Sequence, residues 1–365
     1  MKAAVYHGKR DLRVEEVAEP RPGPGELLLE VHAVGVCGTD AGEWAHGPSI
    51  YAVPGPHPVT GHAGPLIPGH ELSGRVIAVG EGVEGFEQGA VVACGGGYVT
   101  QEDGRARVGR PNLSETYATV GLQRHGGLAQ YVAVPAGTCL DVRPYGLSDD
   151  AAALAQPMAI AVHSLRRARP TRGEHALVVG AGGIGAFLVY AAAQHGLALS
   201  VVDLAAERLD IARALGAETL LGPGEASDLP AALAERGDEL TIVFEVTGTE
   251  AGLRSALAVA EPAGARVVLT GLHEQPRTID LRRVSLREIE LVGTNAHVCE
   301  ADLPEAVRLL SSRREGWADI APEAFPLDEL LDEGIVPLAE RRANRIKTLI
   351  DPWAADRRPT DTVPR

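Results

Sequence analysis

HALVVGAGGIGAFLVYAAAQHGLALSVVDL, residues 175–204, is the stretch whose reading decides the fold. An apolar run, ALVVG, ends in the turn Gly180-Ala181-Gly182-Gly183-Ile184-Gly185. A helical pattern follows, and then a second apolar run closes on Asp203. Strand, glycine turn, helix, strand is the repeating unit of a parallel sheet. A G-x-G-x-x-G motif by itself is weak, because glycine clusters are often only turns. Here it ends a strand and opens a helix, and Asp203 stands eighteen residues after Gly185, near the ~20 of a dinucleotide fingerprint. Gly180, Gly182 and Gly185, with Gly183 and Ile184 inside the turn, would let the backbone approach a pyrophosphate at the helix amino end. Asp203 would accept hydrogen bonds from the adenosine ribose and repel a 2′-phosphate. Leu204 follows with no basic residue beside the acid, so NAD is favoured over NADP, although Arg208 could reach the ribose edge.

The same rhythm continues downstream. AERLDIARALGA reads as a helix, and TIVFEV, ARVVLTGL and IELVGTN read as strands, predicting a doubly wound parallel sheet with helices on both faces. Upstream, SDDAAALAQPMAIAVHSLRRA opens at Ser148 with a cap and acidic first-turn residues, and Pro157 predicts a kink or split. Before residue 148 the texture differs. LLLEVHAVGV, SGRVIAVG, GAVVACG and LAQYVAVP are short segments bounded by glycine and proline, which predicts a twisted antiparallel β domain. After about Asn295 come a helix (LPEAVRLLSS), a loop-rich stretch and a last strand (RIKTLID). The Pro/Arg/Asp/Thr-rich end, 353–365, is expected to fray.

The chain has 365 residues, 45% apolar and 23% charged, the balance of a globular protein with more than one domain. Its net charge of −15 argues against nucleic acid or an anionic membrane as partner. The amino terminus has no apolar leader core, and the longest apolar stretch is broken by Gly, Gln194 and His195, so no membrane span is expected. The cysteines, Cys37, Cys94, Cys139 and Cys299, form no C-x-x-C pair, which excludes a disulfide scaffold and suggests a reducing, cytoplasmic compartment.

Cys37 lies in GVCGTD just after a strand, and His70 with Glu71 lies in PGHELSGRV just before one. Thiolate, imidazole and carboxylate are good Zn²⁺ ligands, and three protein ligands with an open fourth position are the pattern of a catalytic zinc. Such an ion polarises an alcohol oxygen and so promotes hydride loss from its carbon. Taken without the glycine motif, the trio decides nothing, because a buried Cys or a core His is ordinary.

With both motifs in place, the chain resembles the zinc-dependent medium-chain alcohol and polyol dehydrogenases. GVCGTD, PHPVTGHAGPLIPGHELSGRVIAVGEGVEGFEQGAVV, GGLAQYVAVP, VVGAGGIGA, VFEVTG and LVGTNAHV follow the family order. CGTDAGEWAHG is similar to the sorbitol dehydrogenase branch and HPVTGHAGPLIPGHELSG to the butanediol dehydrogenase branch. The resemblance implies a GroES-like β domain (1–150 and 296–365) interrupted by a Rossmann NAD-binding domain (151–295). It puts the catalytic zinc on Cys37 and His70, with Glu71 as the candidate third ligand, and makes Thr39 the hydroxyl that passes the substrate proton on. Val246, Thr247 and Gly248 would line the cofactor groove, and Thr270, Gly271, Leu272, Thr294 and Asn295 would lie near the nicotinamide. Lys347 matches a basic pyrophosphate contact. A homodimer or homotetramer is implied.

Three departures qualify the resemblance. Residues 94–114, where many relatives hold a structural zinc on four cysteines, carry Cys94 alone and Ser114 in the last position, so that zinc is expected to be absent. Gly42 stands where relatives often have a relay histidine, leaving solvent or His46 for proton release. Gln156 replaces the usual carboxylate before Pro157; it can hydrogen-bond but cannot take a proton, which leaves Glu71 as third ligand with Gln156 beside it.

The leading expectation is therefore NAD-dependent oxidation of a secondary alcohol, vicinal diol or polyol, or reduction of the matching ketone, with one zinc per chain. An NAD(P)H-dependent reductase of a C=O, C=N or conjugated C=C bond keeps the same fold. A catalytically silent dinucleotide-binding protein is the alternative from another class.

Overall fold

The computed structural model describes residues 1–364 except 54, 235–239, 263, 274 and 344. The chain divides into two compact units, Met1–Ala159 with His297–Arg365, and Ile160–Ala296.

The first unit is mostly β. Strands β1 (Lys2–Gly8) and β2 (Asp11–Glu16) form a hairpin. They are followed by β3 (Glu26–Gly35), β4 (Glu71–Val79), β5 (Val91–Cys94), β6 (Gly97–Val99), β7 (Tyr117–Thr119), β8 (Tyr131–Pro135) and β9 (Cys139–Asp141). Along β3, Leu27, Leu29, Val31 and Ala33 are buried and alternate with partly exposed residues, the period-two pattern of a strand with one core face. Leu27, Leu29 and Val31 pack with Leu72, Val92, Val132, Val134, Phe325 and Ile350 in one hydrophobic cluster.

The second unit holds six parallel strands: β10 (His175–Val179), β11 (Ala198–Val202), β12 (Thr219–Leu221), β13 (Ile242–Glu245), β14 (Arg266–Leu269) and β15 (Glu290–Gly293). Their order is β12-β11-β10-β13-β14-β15. Counted within the unit this is 3-2-1-4-5-6, so the chain reverses direction between β10 and β13 and opens a crevice at the carboxyl ends of the strands. The three remaining strands, β16 (Glu323–Pro326), β17 (Leu349–Asp351) and β18 (Arg358–Pro359), rejoin the first unit and complete its main sheet, β18-β16-β17-β3-β4-β5-β9, with β8 on β3.

Six helices matter here: α1 (Gly38–His46), α2 (Gly104–Arg107), α3 (Asp149–Ala152), α4 (Ala155–Ala168), α5 (Gly185–His195) and α6 (Ala206–Ala214). The helical stretch after Ser148 is split between α3 and α4, with Pro157 in the first turn of α4, where its missing N–H removes no helical bond. No helix among the described residues is long and apolar enough to cross a membrane.

Two segments differ from expectation or answer it. The end of the chain is docked, not frayed. Arg358 places both terminal nitrogens 2.8 Å from the buried Asp150 carboxylate, which also accepts the Asp361 N–H at 2.7 Å and meets His32 Nε2 at 3.0 Å. Thr362 is buried and accepts the Trp317 N–H at 2.8 Å. Composition predicted fraying because polar residues seldom bury alone, but Arg358 and Asp361 meet Asp150 some two hundred residues away and Thr362 meets Trp317, 45 residues away. The lobe after Cys94 is organised by a carboxylate in place of the four thiolates: Asp103 accepts the N–H groups of Arg105 and Ala106 at 2.9 Å each and of Glu115 at 3.2 Å.

Candidate functional site

Cys37 is the N-cap of α1, two residues past the end of β3, and its N–H donates to Asp40 Oδ2 at 2.9 Å. His70 immediately precedes β4 and Glu71 opens it, and Glu71 pairs with Gly35 of β3, so the ladder brings the two motifs together. A Cβ at residue 35 would collide with the Glu71 carboxylate; glycine is what leaves the carboxylate its place. One ligand atom from each of Cys37, His70 and Glu71 lies within 4.8 Å of the others. The Thr39 hydroxyl is 3.7 Å from Cys37 Sγ.

The residues behind this cluster orient it. The Asp40 carboxylate is buried, 3.6 Å from His70 Nδ1, and accepts the Tyr51 hydroxyl at 2.7 Å. Burial opposes its charge, yet His70, Tyr51 and the Cys37 N–H together hold its carboxyl below the ordinary range. A carboxylate that faces Nδ1 favours Nε2 as the atom turned to a metal. Tyr51 is in turn placed by Glu43 on α1, which accepts the N–H groups of Ser49, Ile50 and Tyr51 at 2.9, 2.9 and 3.2 Å. Lys347 Nζ lies 2.6 and 2.5 Å from the two Glu71 oxygens; burial works against its charge, but Glu71 and Cys37 raise its pKa. Cys37, His70 and Glu71 thus gather a sulfur, a nitrogen and a carboxylate oxygen in one mostly buried place. These mixed S, N and O donors are those of zinc.

In the second unit the fingerprint glycines sit at the end of β10. Gly180 has φ +99, and a Cβ at residue 185 would overlap Gly180 O, so the turn closes only on glycine. Asp203, at the end of β11, accepts the N–H of Ala181 at 2.7 Å and of Ala205 at 2.9 Å, with Arg208 Nη1 at 3.9 Å. Val246, Thr247 and Gly248 follow β13; Thr270, Gly271 and Leu272 follow β14; Thr294 and Asn295 follow β15. All of these lie at the carboxyl ends of the parallel strands, where open α/β sheets bind ligands. Gly271 packs against Gly248, joining two of the loops.

Residues 23–144 match the alcohol dehydrogenase GroES-like domain and residues 183–312 the zinc-binding dehydrogenase domain. (R,R)-Butanediol dehydrogenase of Bacillus subtilis (strain 168) is 33% identical over 358 residues, covering 96% of this chain and 100% of the relative. The chain belongs to the zinc-dependent medium-chain alcohol and polyol dehydrogenases. Sorbitol dehydrogenase of Bos taurus is 32% identical, with 90% of each chain covered. The crystal structure of 2R,3R-butanediol dehydrogenase from Bacillus subtilis superposes with a TM-score of 0.85 at 30% identity, covering 96% of this chain and 99% of that one.

Two expectations for the dehydrogenase are corrected. Lys347 does not stand as a pyrophosphate contact: it is 4% exposed and committed to Glu71, because a buried carboxylate holds the nearest cation. His46 is the exposed last residue of α1, and residues 39 to 46 span about 10 Å of helix axis, so it is not beside Thr39. Gln156 is 7% exposed in the first turn of α4. Sequence reasoning missed Asp40, although its place three residues after Cys37, at the third position of a helix, was a visible capping signal. It also missed Glu245, fully buried at the end of β13, which accepts the Thr247 N–H at 2.8 Å and meets His273 Nε2 at 3.0 Å.

Proposed function

We propose that this dehydrogenase oxidises a small secondary alcohol, vicinal diol or polyol with NAD⁺ and reduces the matching ketone with NADH. The observation that carries the proposal is the Cys37, His70 and Glu71 cluster with Asp40 and Lys347 behind it. Cys37 and His70, with Glu71 as third donor, would hold the zinc. When bound, zinc supplies Lewis acidity at the alcohol oxygen. Thr39 Oγ1 accepts the substrate hydroxyl proton and passes it on, since a hydroxyl both donates and accepts. Gln156 orients by hydrogen bonding and takes no proton, so Thr39 starts the proton path without a carboxylate base there. The turn 180–185 receives the pyrophosphate at the amino end of α5, and Asp203 accepts the ribose hydroxyls and disfavours a 2′-phosphate.

The butanediol and sorbitol dehydrogenases among its relatives support a diol or polyol as substrate. The strand β15 ends its sheet among the described residues, and pairing of this edge with a second copy is the basis for a homodimer or homotetramer. Rates with NAD⁺ and NADP⁺ on a panel of vicinal diols, polyols and simple secondary alcohols, with zinc counted per chain, test the reading. Turnover of diols or polyols with NAD⁺ and one zinc per chain is expected. Enal or imine reduction with no alcohol turnover would sink it.

A further inference from the structure

Cys94 and Cys139 stand directly opposite each other on the antiparallel strands β5 and β9. Opposed residues in such a ladder alternate between hydrogen-bonded and non-hydrogen-bonded pairs, and the neighbouring bonds decide which this one is. Gly95 N donates to Thr138 O at 2.8 Å and Val142 N to Val91 O at 2.9 Å. Residues 95/138 and 91/142 are therefore hydrogen-bonded pairs, and 94/139 falls between them as a non-hydrogen-bonded pair. There the Cα atoms are about 4.5 Å apart and the side chains approach most closely. That separation lies within the range a disulfide spans.

The side chains agree with the ladder. Both thiols reach the Thr138 hydroxyl, Cys94 at 3.4 Å and Cys139 at 3.8 Å, which places them on one side of the ladder beside a shared neighbour. Cys94 is buried and Cys139 half-buried, so Cys139 is the more accessible of the two residues. The neighbouring Cys139 thiol lowers the pKa of Cys94, and Cys94 together with burial raises that of Cys139. Cys299 is held differently: its Sγ is 3.1 Å from Gly97 O and 3.3 Å from His297 Nε2, and burial pushes its pKa up to about 12. Cys37 belongs to the zinc cluster.

The placement in the chain gives the pair a role. β5 ends at Cys94 and β9 begins at Cys139, so everything from β6 to β8, including the lobe held by Asp103, leaves and returns between them. We propose that Cys94 and Cys139 are an oxidation site at which a peroxide forms a disulfide, closing this excursion covalently at its root. A sulfur attacks the peroxide, the O–O bond breaks, and a sulfenic acid and water form. The second sulfur displaces the sulfenic oxygen as water while the S–S bond forms. Two thiols are oxidised and one peroxide is reduced to two waters.

The test treats the zinc-loaded protein with hydrogen peroxide, blocks remaining thiols with N-ethylmaleimide in denaturant, and maps non-reduced peptides by mass spectrometry. Peptides joined through Cys94 and Cys139, with Cys299 alkylated and the link reversed by dithiothreitol, are expected. The oxidised protein should also melt several degrees higher than the reduced one, since closing a long loop restricts the unfolded chain. Cys139→Ser should show neither the link nor the rise. Recovery of alkylated Cys94 and Cys139 from the oxidised wild type, a Cys94–Cys299 link, or an equal rise in Cys139→Ser overturns the proposal.

Discussion

Lys347 Nζ touches both carboxylate oxygens of Glu71, at 2.6 and 2.5 Å, across 276 residues of sequence. The two side chains are 4% and 0% exposed, so each is the other's main compensation for leaving water. Lys347→Met strands a buried carboxylate beside Cys37 and should lower stability by about 3–5 kcal/mol. Thermal melting with zinc counted per chain measures this. Lys347→Arg should recover part of the loss, and an unchanged melting temperature in Lys347→Met would count against the pairing.

Asp40 Oδ1 faces His70 Nδ1 at 3.6 Å, behind the ligand cluster. Replacing it by Asn keeps the shape but removes the charge facing Nδ1. Metal affinity should fall roughly 10–100-fold, as for other carboxylates behind zinc-bound imidazoles. Competition against a chromogenic chelator reads the change; equal affinity in Asp40→Asn and wild type would mean that His70 is held by packing alone.

Asp203 carries the cofactor preference in the proposed function. Its carboxylate is already tied to Ala181 and Ala205, so its position does not depend on the ligand. Asp203→Asn weakens hydrogen bonds to the ribose by about 1.5–3 kcal/mol, or roughly ten- to a hundredfold in kcat/KM with NAD⁺. The NADP⁺ to NAD⁺ ratio should rise in the same assay. A ratio that stays constant would place discrimination elsewhere.

The docked end of the chain makes a prediction about pH. Burial raises the pKa of Asp150, but Arg358, His32 and the Asp361 N–H outweigh it and leave the carboxyl well below its ordinary value. A depressed folded pKa contributes stability that is complete above the unfolded value, about 3.9, and is lost as pH falls through the folded one. Arg358→Leu leaves Asp150 buried with less compensation. It should lower stability by about 3–5 kcal/mol near neutral pH and move acid unfolding to a higher pH. Circular dichroism followed from pH 7 downward checks both effects, and coincident acid transitions would refute the assignment.

The sequence spelled out elements whose signals are local. Gly180 to Gly185 and Asp203 lie within one βαβ unit, so strand period, turn and helix can be read together, and the parallel sheet follows. Cys37 and the His70-Glu71 pair were legible as ligand types, but their meeting depends on the β3–β4 ladder and on glycine at residue 35. His46 was misplaced because a helix carries its last residue away from its cap. The tail was misread because Arg358 and Thr362 look solvated until Asp150 and Trp317 are seen beside them.

Composition and motif thus determined the class of fold and the residue types for zinc and dinucleotide. Tertiary structure alone decided which charges are paired: Lys347 with Glu71, Arg358 with Asp150, Asp40 facing His70. It also decided that Cys94 faces Cys139. The reason is physical. Hydrophobic period and turn chemistry act over a few residues and leave a pattern in the chain. A buried charge or thiol is defined by a neighbour that folding brings from far along the sequence.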